Sequence, residues 1–200
     1  MAVIDKIKRR LTGKRGWVFT PRDFLDLGSR AAVDQTLSRL ARQGVIRRVD
    51  RGVYDYPRQH SKLGTMSPDI DQLAGAVAKK SGDTVFPSGA AAANILGLST
   101  QVPARPTYMT SGATRVTRIG GRTIAFRHAR TPILDGVPAK VNYTLQALAY
   151  LGKNGIDADL LKRCADQLDS RDVKALTGAR LVVSGWMANA ITKIEGLKYG

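Results

Sequence analysis

The chain is poor in the side chains with which most enzymes work. It has one cysteine, Cys164, two histidines, His60 and His128, and a single glutamate, Glu195. A lone cysteine excludes an internal disulfide framework and fits a reducing compartment; within LLKRCADQL it reads as a small buried hydrophobe. No His or Cys pair has metal-ligand spacing, and His60 stands by itself in a polar stretch, so no metal and no cofactor are expected. Clustered carboxylates are missing too. No acidic residue occurs between Asp83 and Asp135, and the pairs Asp69/Asp71 and Asp157/Asp159 read as helix N-termini, where acids favour the dipole. The inventory assigns no catalytic residue, so a nucleic-acid-modifying enzyme is disfavoured. No apolar run approaches the ~20 residues of a membrane span, and charges interrupt MAVIDKIKRRL every few positions. The expected location is the cytoplasm, away from membranes.

What the chain has in excess is positive charge. Thirty-two Lys and Arg against 16 acids give a formal charge of +16 and a pI near 10.5. Residues 1–60 and the remainder each carry +8. Such a balance favours a polyanionic partner, most simply nucleic acid. Two hundred residues suit one large domain or two small ones; the composition of residues 58–68 favours two.

Residues 20 to 57 organise the rest. Thr20, Pro21 and Asp23 carry the start signal of a helix from Pro21, with Phe24 and Leu27 on its apolar side and Gly28 breaking it. Ser29 is a good N-cap for a second helix, which runs until Gly44 supplies a left-handed end. Val33, Leu37, Leu40 and Ala41 share one stripe of that helix. The opposite side then carries Ala31, Gln35, Ser38, Arg39 and Arg42, with Arg30 at the tip: residue types that approach base edges and phosphates in a major groove. VIRRV and VYDY follow as two β-prone runs around Asp50-Arg51-Gly52, a hairpin with Arg51 at its turn. The alternation leaves open which of Arg47 and Arg48 faces outward. In order, these elements describe a winged helix-turn-helix, supported by an N-terminal helix with Val3, Ile4, Ile7 and Leu11 on one side and by a short strand at Trp17–Phe19 that pairs with the wing. The basic side of that first helix is also able to touch phosphate.

The expected fold class is α+β: a winged helix-turn-helix over 1–57, a linker over 58–68, and a mixed α/β domain over 69–200 that ends in helices. In the latter, DIDQLAGAVAKKSG reads as a helix, TVFP as a strand, and SGAAAANILGL as a helix whose small residues allow close packing. TRVTRIGGRTIAFRH reads as a hairpin closed by Gly120-Gly121. Val116, Ile119, Ile124 and Phe126 are its inward positions, leaving Arg115, Arg118, Arg122 and Arg127 as a second cationic face. NYTLQALAYLG marks a core helix through Leu145, Leu148, Ala149 and Leu151, and the run from Leu181 to Ile194 is expected to pack on the second domain.

SRAAVDQTLSRLARQGVIRRVDRGVYDYP, then PSGAAAANILGLSTQVPARPTYMTSG and IGGRTIAFRHA, resemble the AbiEi-like antitoxins of bacterial type IV toxin–antitoxin systems. The similarity covers most of residues 1 to 150, with AANILGLSTQVP its most specific segment. The resemblance implies a phage-defence antitoxin whose N-terminal domain represses its own operon at inverted-repeat operator DNA. It also implies that the C-terminal domain neutralises a nucleotidyltransferase-like toxin, with or without a stable complex. The DNA-contact role then falls on Arg30, Gln35, Arg39, Arg42 and Arg51. The basic hairpin would serve the toxin or more DNA backbone. The alternative reading is a stand-alone winged-helix regulator with a ligand-binding or dimerisation domain.

Overall fold

The apolar side chains of the N-terminal stretch meet in a computed structural model that describes residues 2–199. Helix α1 (Val3–Leu11) turns Ile7 and Leu11 inward, and helix α2 (Arg30–Arg42) contributes Val33, Leu37 and Leu40. Trp17, Phe19 and Phe24 close the cluster with ring centroids 5.0 to 5.6 Å apart in tilted and edge-on arrangements, the geometry that the ring quadrupole favours.

Between α1 and α2 the helix expected from Pro21 is only a 3-10 turn, Pro21–Phe24. The start signal holds, because the Asp23 carboxylate accepts from the Thr20 backbone N–H (2.8 Å) and hydroxyl (3.1 Å). Propagation fails because the Asp23 carbonyl, which an α-helix would give to residue 27, accepts instead from Arg10 (2.7 Å), and the Leu27 N–H turns to Phe24. Arg10 also grips the Asp26 carboxylate with two bonds of 2.7 and 2.5 Å. A Cβ on Gly28 would stand 2.9 Å from the Val3 side chain, so the close approach of α1 favours glycine there.

Strands β1 (Val18–Phe19), β2 (Arg47–Asp50) and β3 (Val53–Asp55) form an antiparallel sheet in the order β1-β3-β2. All three residues of β3 are buried. Successive side chains of a strand point to opposite faces, so β3 is covered on both sides. Tyr54 joins the aromatic cluster, and Val53 and Asp55 face the other way. Helix α3 (Ile70–Ser81) runs against β1. The chain divides into two compact units, and the first comprises residues through Thr84 together with Thr117–Ile124. Helix α3, read from the sequence as opening the second domain, thus groups with the first unit.

Residues 58–68 are not a plain tether. They hold a small hairpin of β4 (Gln59–His60) and β5 (Gly64–Thr65). The His60 Nδ1 accepts from the backbone N–H groups of Lys62 and Leu63, both at 3.2 Å, and Thr65 donates to the Gln59 amide oxygen at 3.0 Å.

The second unit spans Val85–Val116 and Ala125 onward. Strands β6 (Val85–Pro87), β7 (Thr107–Thr110), β8 (Arg115–Ile119) and β9 (Arg122–His128) form a sheet in the order β6-β7-β9-β8, with β7 and β9 parallel. Gly120 and Gly121 both have positive φ, +56° and +75°, as a tight two-residue hairpin turn requires. Helices α4 (Gly89–Ile95), α5 (Ala139–Leu151), α6 (Ala158–Gln167), α7 (Ser170–Gly178) and α8 (Gly185–Tyr199) enclose a core that includes Ala92, Leu145, Leu148, Cys164 and Ile191. Burial pushes the Cys164 thiol up to about 11.

Four expected core positions turn outward. Val116 is 69% exposed because Arg115 takes the inward side of β8, its guanidinium 4.8 Å above the Phe126 ring. Ala149 is exposed on α5. Leu181 is 93% exposed, and Val182 is exposed with it, because a 3-10 turn at Ala179–Leu181 separates α7 from α8; Met187, Ala190, Ile191 and Ile194 remain inside. The fold is α+β, and among the described residues no helix is long and apolar enough to cross a membrane.

The small residues of α4 are explained by its neighbour. A Cβ on Gly89 would meet the Tyr150 Cβ at 2.4 Å and the Gln146 backbone oxygen at 2.7 Å. Gly89→Ala is expected to lose about 1–3 kcal/mol through overpacking. Gly75→Ala, inside α3 with nothing within 4 Å of the new Cβ, is expected to gain up to about 1 kcal/mol from helix propensity. Urea midpoints of the two variants should therefore move in opposite directions.

Candidate nucleic-acid interface

Helix α2 owes its start to Ser29, whose hydroxyl accepts from the Ala32 N–H at 3.3 Å. With Val33, Leu37 and Leu40 turned inward, the 3.6-residue period sends Ala31, Gln35, Ser38, Arg39 and Arg42 to the opposite side, and all five are exposed. Arg30 is exposed as well, and its Nε donates to Asp34, the one acid on α2, at 2.8 Å. Both partners of that pair are about half exposed; an i,i+4 pair of this kind is worth only ~0.3–0.5 kcal/mol. It is readily exchanged for another anion.

The hairpin of β2 and β3 resolves what alternation left open. Arg48 is exposed. Arg47 turns to its cross-strand neighbour Asp55, with Nε 3.0 Å and Nη2 2.6 Å from the two carboxylate oxygens, and Nη2 also donates to the Met66 carbonyl at 2.9 Å. Asp55 is 1% exposed and the Arg47 side chain 37%. The hydrogen bond to Asp55 holds the Arg47 guanidinium above its ordinary pKa. Arg47 therefore leaves the group of outward-facing arginines. Arg51 is exposed at the turn, with Gly52 at φ +70°. Its carbonyl accepts from the Lys80 ammonium at 2.8 Å, so the end of α3 braces the turn and adds a cation there that sequence periodicity does not reveal.

The four arginines of the second basic hairpin do not share one side. Arg118, Arg122 and Arg127 are exposed, whereas Arg115 lies partly inward over Phe126. Arg118 and Arg122 belong to the tip that groups with the first unit; Arg115 and Arg127 belong to the second. Among the described residues no group of three His, Cys, Asp or Glu side chains is placed to hold a metal ion.

Removing Arg47 would leave a carboxylate buried without its cation. Breaking a fully buried pair costs about 3–5 kcal/mol, and the partial exposure of Arg47 screens some of this. Arg47→Ala is expected to lose roughly 2–3 kcal/mol of stability, and Arg48→Ala less than about 0.5 kcal/mol; chemical denaturation of the two variants measures the difference. Among families of known proteins, the model that matches describes a family of unknown function, DUF6088, over residues 2–176. No curated protein and no solved structure matches the chain. With nearly nine-tenths of its length covered, the chain belongs to the DUF6088 family.

Proposed function

We propose that the first unit is a winged helix-turn-helix that binds duplex DNA, and that the protein is an AbiEi-like antitoxin that represses its own operon. The observation that carries the DNA reading is the outward side of α2, where Gln35, Ser38, Arg39 and Arg42 are all exposed beside a hairpin tipped by Arg51. A helix 13 residues long fits the major groove, which is about 12 Å wide. Gln35 has the donor and acceptor that pair with adenine, and Arg39 and Arg42 have the fork that pairs with guanine or phosphate. Ala31 offers a methyl to thymine. Arg30, Arg48 and Arg51 supply backbone contacts, with Arg47 held back by Asp55.

The antitoxin half of the proposal rests on the resemblance through AANILGLSTQVP. In that segment Gly97 ends α4 at φ +66°, and the Asn94 amide donates to the Ser99 carbonyl at 3.1 Å. The partner is then a nucleotidyltransferase-like toxin in the cytoplasm, approached by Arg118, Arg122 and Arg127 or left uncontacted while those residues meet more DNA. The protein itself performs no catalysis in this reading, and inverted-repeat recognition brings two copies to one operator.

Electrophoretic mobility shifts on the duplex upstream of its own gene test the DNA half. Gln35→Ala is expected to relax base preference by roughly 1–3 kcal/mol at one base pair. Arg51→Ala is expected to weaken all sequences alike and to flatten the log affinity against log salt slope by about 0.9. Wild-type affinity and preference in both variants would remove the assignment. For the antitoxin half, co-expression with a neighbouring nucleotidyltransferase gene should restore growth; a neighbour that is harmless alone points instead to a stand-alone regulator.

A further inference from the structure

The hairpin of β4 and β5 is fastened at its base. Arg47 donates to the Met66 carbonyl (2.9 Å), the Met66 N–H to the Arg58 carbonyl (2.9 Å), and the Arg58 Nε to the Arg15 carbonyl (3.1 Å). A segment held this way keeps a fixed position relative to the rest of its unit. Gln59, His60 and Lys62 are exposed on it.

Between this hairpin and the C-terminal half of α2 lies an open cleft of about 690 Å³. Ser38 and Arg42 line one side of it, Gln59 and Thr65 the other, and Arg48 contributes from β2. Ser38 and Arg42 also belong to the outward side of α2, so the cleft continues that surface. Among the described residues no carboxylate lines it. Ala41, Ile46 and Pro57 give it an apolar floor, and around them it presents guanidinium, amide and hydroxyl groups, the donors that hold the phosphates of nucleic acid.

Building on the duplex-binding reading above, we infer that this cleft seats one sugar–phosphate strand flanking the bases that α2 faces, with the β4–β5 hairpin as a second arm on the backbone. Arg42 and Arg48 neutralise phosphate inside the cleft. Gln59 and Thr65 close on it from the hairpin side, and Lys62 is the cation of the hairpin turn. The segment between the two halves of the chain is then part of the binding surface.

The test uses the full chain and a short random-sequence duplex, whose affinity is measured as a function of salt. Lys62→Ala is expected to flatten the log–log slope by about 0.9 through the loss of one phosphate contact. Thr65→Glu places a carboxylate in the cleft, and the like-charge contact should weaken binding by about tenfold or more. Both positions are exposed, so the unfolding midpoints should stay at the wild-type value. If both variants keep wild-type affinity and slope while Arg39→Ala weakens binding, the cleft assignment falls and the duplex reading stands. If the wild-type protein does not bind duplex even at low salt, both fall together.

Discussion

The arrangement of the first unit turns on one ion pair. Asp55 sits on the middle strand of a sheet covered on both faces, where a lone carboxylate would be costly. Arg47, directly across on β2, meets it with two hydrogen bonds and passes a third to Met66. The same guanidinium thus sets the register of β2 against β3 and ties down the base of the β4–β5 hairpin. It also decides the facing of its neighbours. With Arg47 turned in, Arg48 turns out, and the hairpin tip carries Arg51 beside Lys80.

Net charge alone overstates how much of this protein is available to a polyanion. Several arginines are used inside their own unit. Arg10 ties α1 to the Pro21–Phe24 turn through Asp26 and the Asp23 carbonyl. Arg15 lies 4.5 Å above the Tyr56 ring and donates to Pro57, and Arg115 covers Phe126. Each satisfies a carbonyl, a carboxylate or a ring face that would otherwise stay without a cation. The proposed duplex contact draws on a smaller set, the exposed cations of α2, the hairpin turn and the β4–β5 hairpin.

Much of the fold was legible because it depends on local chemistry. The i,i+4 stripes of α1 and α2, the Ser29 cap, the Thr20–Asp23 start signal and the Gly120-Gly121 turn all follow from side chains within a few residues of each other, and the pairing of Val18–Phe19 with β3 follows from the order of elements in a winged module. The outward side of α2 was legible for the same reason. What could not be read depended on distant partners. The helix after Pro21 is cut short by Arg10, thirteen residues earlier in the chain. Arg47 and Arg48 are indistinguishable in sequence until Asp55 selects one of them. Strands of two residues, as in β4 and β5, are too short to show a period, and their turn is closed by a histidine ring. In β8, Arg115 took an inward place by lying on Phe126, and Val116 turned to solvent.

The first unit is discontinuous, since it gathers residues through Thr84 and then Thr117–Ile124. Ile119 and Ile124 are buried, and a Cβ on Gly120 would stand 2.9 Å from Val49. During synthesis from the N-terminus, the aromatic cluster and α2 can assemble early from local contacts, but the unit lacks its last pieces until residue 124 has left the ribosome. Closing so long a loop makes this a late step. The nascent chain therefore carries its outward arginines on an unfinished scaffold while about a third of the second unit is being made.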